Sequence, residues 1–116
     1  MTCLANLAVY HLARSACADA YRLASTITGN YDLRDQARRA AASIVLNIAE
    51  GRGRSTDADF ARFLVIARGS ANELAAQLAF AADLQLIERD GLAEVLERLD
   101  HVGRMLSALI KRLGSS

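Results

Sequence analysis

Residues 43–54 read Ser-Ile-Val-Leu-Asn-Ile-Ala-Glu-Gly-Arg-Gly-Arg, a mostly apolar run, uncharged as far as Ala49, that ends in Glu50 and two glycines alternating with two arginines. Arg38 and Arg39 precede it, and from Ala40 to Ala49 no charge occurs. Leu33, Ala37, Ala40, Ile44 and Ile48 recur at three- and four-residue steps, the period of one helical face. The spacing predicts a helix over about 33–50 whose second half is buried all round. Its polar exceptions, Arg39, Ser43, Asn47 and Glu50, fall on one line, and polar groups on a buried helix need hydrogen-bond partners. Gly51 is expected to end the helix, with Gly53 as a second flexible point.

Working outward, Ser55 or Thr56 is placed to cap a third helix over about 57–84, and Thr56 and Asp59 have capping-box spacing. Phe60, Leu64, Ala67, Ala71, Leu74, Leu78 and Ala81 form its seam at alternating steps of four and three. Gly69, costly inside a helix by about 1 kcal/mol against Ala, is expected to mark a close approach to Ala40–Ala42. Ser70, Glu73 and Gln77 make a second polar line. Upstream, a first helix is expected over about 4–27. Leu7, Tyr10, Cys17, Tyr21 and Ala24 form its stripe, and Leu4, Arg14 and Asp19 lie near the edges. Val9, Leu12, Ala16, Leu23 and Ile27 widen the apolar surface enough to suggest a subunit contact. Gly29 and Asn30 are stop signals, and Asp32 is the expected N-cap of the second helix. A fourth helix over about 90–113 carries Leu92, Val95, Leu99, Val102, Leu106, Leu109 and Leu113, before a frayed Gly114-Ser-Ser tail. Four helices joined by short turns make an all-α, up-down-up-down antiparallel bundle, with residues 1–116 as a single domain.

Composition agrees. Hydrophobic residues are 53% and charged residues 23%, which excludes a disordered chain, and proline is absent. Net charge is only +1, so no global field draws the protein to nucleic acid. The distribution is uneven: Arg34, Arg38, Arg39, Arg52, Arg54, Arg62 and Arg68 face only Asp35, Glu50, Asp57 and Asp59 in the same segment. Cys3 and Cys17 are fourteen residues apart on one expected helix, about 21 Å, out of reach of a disulfide. A reducing, cytoplasmic setting is expected, with neither a secretion leader nor a membrane span.

Three stretches together resemble a known family: Tyr31-Asp-Leu-Arg-Asp-Gln-Ala-Arg-Arg-Ala-Ala-Ala-Ser-Ile, then Asn47-Ile-Ala-Glu-Gly-Arg-Gly-Arg, then Phe60-Ala-Arg-Phe-Leu-Val-Ile-Ala-Arg-Gly-Ser-Ala-Asn-Glu-Leu. In order and spacing they are similar to the 23S rRNA intervening-sequence proteins, also called four-helix bundle proteins, whose fold the accessory subunit of diversity-generating retroelements shares. The resemblance runs from the first helix to Leu113. It implies a bacterial bundle that assembles as a homo-oligomeric ring, commonly of five subunits. For the retroelement relatives it implies binding to a reverse transcriptase and to nucleic acid through a basic surface. The family often carries Pro-Ala or Pro-Ser before the signature Asn, where this chain has Val45-Leu46.

The residues themselves support no catalytic centre, cofactor or metal site: no nucleophile–base–orienter set is present, and His11 and His101 lie on different helices. Arg38, Arg39, Arg52, Arg54, Arg62 and Arg68 are the nucleic-acid-binding candidates, centred on the Gly-interrupted elbow. The bland alternative is a solvated turn in which Arg54 pairs with Glu50. No aromatic residue is expected near these arginines, so binding would be to the backbone of structured RNA or DNA. Ser43, Asn47, Glu50, Ser70, Glu73 and Gln77 are read as a structural polar network. Two functions stand side by side. One is a non-enzymatic oligomeric bundle that binds nucleic acid, or an enzyme acting on it such as a reverse transcriptase. The other is a protein–protein adaptor or structural ring with no nucleic-acid role.

Overall fold

The structure, a computed structural model, describes residues 3–114. It contains four helices, α1 (Cys3–Ala24), α2 (Tyr31–Arg52), α3 (Asp57–Asp83) and α4 (Leu92–Gly114), and no strand among the described residues. Each helix packs on the next in sequence and α1 closes the circle against α4, giving a rod of 45 × 23 × 19 Å. The four-helix expectation is met. The expectations for the side chains of Cys3, Leu4 and Leu7, and for Ser115 and Ser116, lie outside the described residues.

The seams read for α2, α3 and α4 are the core: Leu33, Ile44, Ile48, Phe60, Leu64, Leu74, Leu78, Leu99, Val102 and Leu106 are all buried. Alanine does the rest. Ala13, Ala16, Ala20 and Ala24 of α1 meet a core that also takes in Ala37, Ala40 and Ala41 of α2. With so little side chain between them, helices sit close, and each larger residue buried contributes about 1.5–3 kcal/mol. On α1 the expected stripe is rotated. Cys17 and Ala24 are buried, but Tyr10 is only half-buried and Tyr21 is exposed, while Val9, Ala13, Ala16, Ala20 and Leu23 face the core. The sequence reading weighted the large tyrosines, whereas the small alanines permit the contact.

Helix ends also differ from expectation. α1 stops at Ala24, and Ile27 is buried in the turn beyond it, where the Thr28 N–H donates to the Leu86 carbonyl at 2.9 Å. This bond ties the α1–α2 turn to the α3–α4 turn. Asn30, not Asp32, caps α2, its side chain accepting from the Leu33 N–H at 3.0 Å; Asp32 instead accepts from Gln36 on the helix surface. Thr56 caps α3 by accepting from the Asp59 N–H at 3.1 Å. α2 continues unbroken through Val45-Leu46 to Arg52, so Gly51 is no terminator. A Cβ on Gly51 would lie 2.8 Å from Phe60 and 3.0 Å from the Phe63 Cβ. Gly51 is there because α3 crosses it. Gly53 takes φ −83°, open to any residue.

Gly69 points outward with nothing near its missing side chain, so the expected approach to Ala40–Ala42 is not made there. Ala67 and Ala71, on the neighbouring face, are the buried small residues. Nor is α2 buried all round: Leu46 is 64% exposed. In the α3–α4 turn Gln85 adopts φ 58°, the left-handed region that costs a side-chain-bearing residue about 1 kcal/mol. A Gln85→Gly protein is expected to be more stable by about 0.5–1 kcal/mol in chemical denaturation.

Candidate ligand-binding face

The six candidate arginines lie on the long stretch 38–68 but do not form one patch. Arg54 and Arg62 stay at the elbow. Arg54 donates to Glu50 at 2.9 Å and lies 3.6 Å from Asp59, while Arg62 pairs with the same Asp59 at 3.0 Å. Both guanidinium groups also stack on Phe63, 4.6 and 4.4 Å from its ring centre. Two carboxylates thus hold two cations at the place read as most open to phosphate. Arg68 crosses instead to α4, donating to Ser107 Oγ at 3.3 Å. Arg39 lines a cleft of about 240 Å³ between α2 and α3 with Gln36, Ser43, Ser70 and Glu73.

Arg38 and Arg52 are fourteen residues apart, so they share one side of α2, and that side faces α1. Arg52 lies over the Tyr10 ring at 5.1 Å and Arg38 over the Tyr21 ring at 5.0 Å. Arg14 of α1 also lies over Tyr10, at 5.6 Å, and Arg34 over Tyr31 at 4.7 Å. Between these pairs is a groove of about 310 Å³ floored by Cys17, Ala18, Ala41, Ala42 and Val45 and flanked by Arg14 and Tyr21. Burial pushes the Cys17 thiol up to about 12, so it is an apolar floor residue at neutral pH. The face carries four guanidinium groups among the described residues. One carboxylate answers them: Asp35, 3.2 Å from Arg34 and 3.8 Å from Arg38. The flanking acids turn away. Asp19 binds Arg22 and, across to α4, Arg98, and these hydrogen bonds, Arg22's first, hold its carboxyl below the usual range. Glu50 is taken by Arg54.

The sequence reading expected no aromatic near the six candidate arginines; Tyr10 lies against Arg52, Tyr21 against Arg38 and Phe63 against Arg54 and Arg62, while Tyr31 pairs with Arg34. Tyr10, Arg14, Tyr21, Tyr31 and Arg34 were not among the candidates. Their signal was available in the spacing Tyr31, Arg34, Arg38, Val45, Arg52, a single helical stripe, but only the packing of α1 on that stripe completes it.

The polar residues lie on the opposite flank of α2. Ser43 Oγ and Ser70 Oγ are 2.9 Å apart, joining α2 to α3, and Asn47 Nδ2 donates to the Ser43 carbonyl and hydroxyl at 2.8 and 3.0 Å. Gln77 is buried and donates to Glu73 at 3.4 Å. Glu50 does not join this network. Among the described residues no three His, Cys, Asp or Glu side chains are grouped to hold a metal ion.

Residues 5–108 match the model of the 23S rRNA-intervening sequence protein family. The chain belongs to this family. A crystal structure at 1.70 Å of a protein with unknown function from the S23 ribosomal protein family, from Bacteroides thetaiotaomicron VPI-5482, superposes with a TM-score of 0.83. It is 22% identical, with 92% of this chain and 98% of that one covered, a likeness of fold. No curated protein matches the chain. Among the described residues of this family member no helix is long and apolar enough to cross a membrane.

Proposed function

We propose that this protein is a non-enzymatic, self-associating helical bundle that binds nucleic-acid backbone through the α1–α2 face. One observation carries the reading: Arg14, Arg34, Arg38 and Arg52 line one side of the rod against a single carboxylate, Asp35. Because the chain as a whole is near neutral, attraction to phosphate must come from such a local excess. Of the six sequence candidates, Arg38 and Arg52 belong to this face. Arg54 and Arg62 serve the elbow's own ion pairs, and Arg39 and Arg68 sit in other grooves. Titration of a labelled structured RNA at two salt concentrations tests it. Affinity is expected to fall as salt rises, by a slope of about 0.7–0.9 per phosphate contacted, hence about three to four for four arginines. Binding indifferent to salt would count against a backbone contact.

A second reading, assembly without nucleic acid, is favoured by the α2–α3 side. Leu46 is 64% exposed and Ile66 43% exposed, one helical turn after Ser43 and one before Ser70 respectively. Phe80 and Leu84 extend the exposed apolar surface along α3. A second copy of the chain covering this side would bury the uncharged α2 segment that the monomer leaves half open. A ring, of five subunits as the family resemblance implies, is one closed arrangement of such a contact. The two faces are on opposite flanks of α2, so assembly and ligand binding are compatible. A reverse transcriptase as partner belongs to the nucleic-acid reading, and a cytoplasmic location is proposed with either.

A further inference from the structure

We propose that the α1–α2 face takes single-stranded nucleic acid, its bases stacking on Tyr21 and Tyr31 while Arg14, Arg34, Arg38 and Arg52 hold the phosphates; this rests on the nucleic-acid reading above and narrows it. The distribution of aromatic residues is the starting point. The chain has three tyrosines and no tryptophan, and every tyrosine is on this face with an arginine against it. In a core these rings would be buried, yet Tyr21 is 39% and Tyr31 68% exposed. Arg38 lies over Tyr21 and Arg34 over Tyr31, and both tyrosines keep surface open to solvent, so aromatic surface and cation are presented together.

A duplex would use half of this. Its phosphates would meet the arginines, but its bases are stacked inside and offer no plane to a tyrosine. A single strand uses both, since every base has a face to stack and the flexible backbone follows the positive groove. The geometry is extended enough. From Tyr31 to Arg52 the stripe follows the whole of α2, about 32 Å at 1.5 Å per residue. Between its ends the floor of Ala18, Ala41, Ala42 and Val45 is uncharged, and a base could lie on it without losing a hydrogen bond to a competing carboxylate. The elbow lacks this arrangement, since both cations on Phe63 are already engaged by Glu50 and Asp59.

The test compares an oligouridine strand of about twelve nucleotides with the same strand annealed to its complement, each titrated into wild type, into Tyr21→Leu/Tyr31→Leu and into Arg38→Gln/Arg52→Gln. Anisotropy of a labelled strand reads affinity for all three proteins alike, and in wild type tyrosine fluorescence reports the contact as well, because no tryptophan masks it. Wild type is expected to bind the single strand more tightly, with quenching. The tyrosine variant is expected to lose about ten-fold for the single strand and nothing for the duplex, and the arginine variant to weaken on both. Because both tyrosines are exposed, the leucine variant should keep its helix content, which circular dichroism verifies. Unchanged single-strand binding by the tyrosine variant, with loss on both ligands by the arginine variant, overturns the stacking and leaves the backbone reading standing. No binding of either ligand by wild type overturns both.

Discussion

A Gly51→Leu protein is expected to be about 3 kcal/mol less stable than wild type and to melt roughly 10 °C lower. Gly51 is buried in the last turn of α2, where the first turns of α3 cross it. Any side chain there starts with a Cβ 2.8 Å from the Phe60 ring and 3.0 Å from the Phe63 Cβ. Phe60 is fully buried and cannot swing aside, and a Cβ cannot move without its backbone. The better helix propensity of Leu returns under about 1 kcal/mol, so overpacking wins. A double-mutant cycle isolates the cause. In a Phe60→Ala background, itself costing about 3–5 kcal/mol, part of the added leucine should fit the space vacated, and the Gly51→Leu penalty should shrink by at least about 1 kcal/mol. Strict additivity of the two losses in urea denaturation would mean that the contact does not set the α2–α3 crossing.

Leu46→Glu is expected to act on assembly and not on the fold. Leu46 is 64% exposed and touches little of the core, so helix content and melting of the isolated subunit should be nearly unchanged. If a second copy covers this side, each contact loses the burial of a leucine, about 1.5–3 kcal/mol, and gains a carboxylate to desolvate. Subunit association should then weaken more than ten-fold at each contact. Light scattering at micromolar concentration should show wild type as an oligomer and Leu46→Glu as a smaller species. A wild type that is monomeric in dilute solution would dispose of the assembly reading.

Much of the fold was legible because its seams are regular: Phe60 through Ala81 and Leu92 through Leu109 keep a helical period, and all these seam residues are buried. What misled was size. On α1 Tyr10 and Tyr21 were read into the stripe and Ala13 and Ala20 were left out of it, but in an alanine-rich bundle small residues face inward and the rings are pushed to the rim. Glycine misled in the same way. Gly51 and Gly69 both sit inside helices, and only the helix crossing shows that Gly51 is needed for contact and Gly69 is not. Asn30 took the cap from Asp32 by a two-residue shift that propensity does not resolve, since both residues favour that position.

The candidate site was legible in part. A local arginine excess was visible, and so was the pairing of Arg54 with Glu50 as an alternative to ligand binding. The relation between distant residues was not. Tyr10 and Arg52, or Tyr21 and Arg38, meet only because α1 runs antiparallel beside α2. Nothing in either helix alone reveals it.

Charge reversal on each surface in turn decides whether nucleic acid is held by the α1–α2 face or by the elbow. Labelled structured RNA would be titrated at low salt into Arg38→Glu/Arg52→Glu and, separately, into Arg54→Glu/Arg62→Glu. The face variant is expected to lose binding by more than about ten-fold and to flatten the salt dependence, while the elbow variant, whose arginines are already engaged by Glu50 and Asp59, changes little. Loss confined to the elbow variant would contradict the assignment.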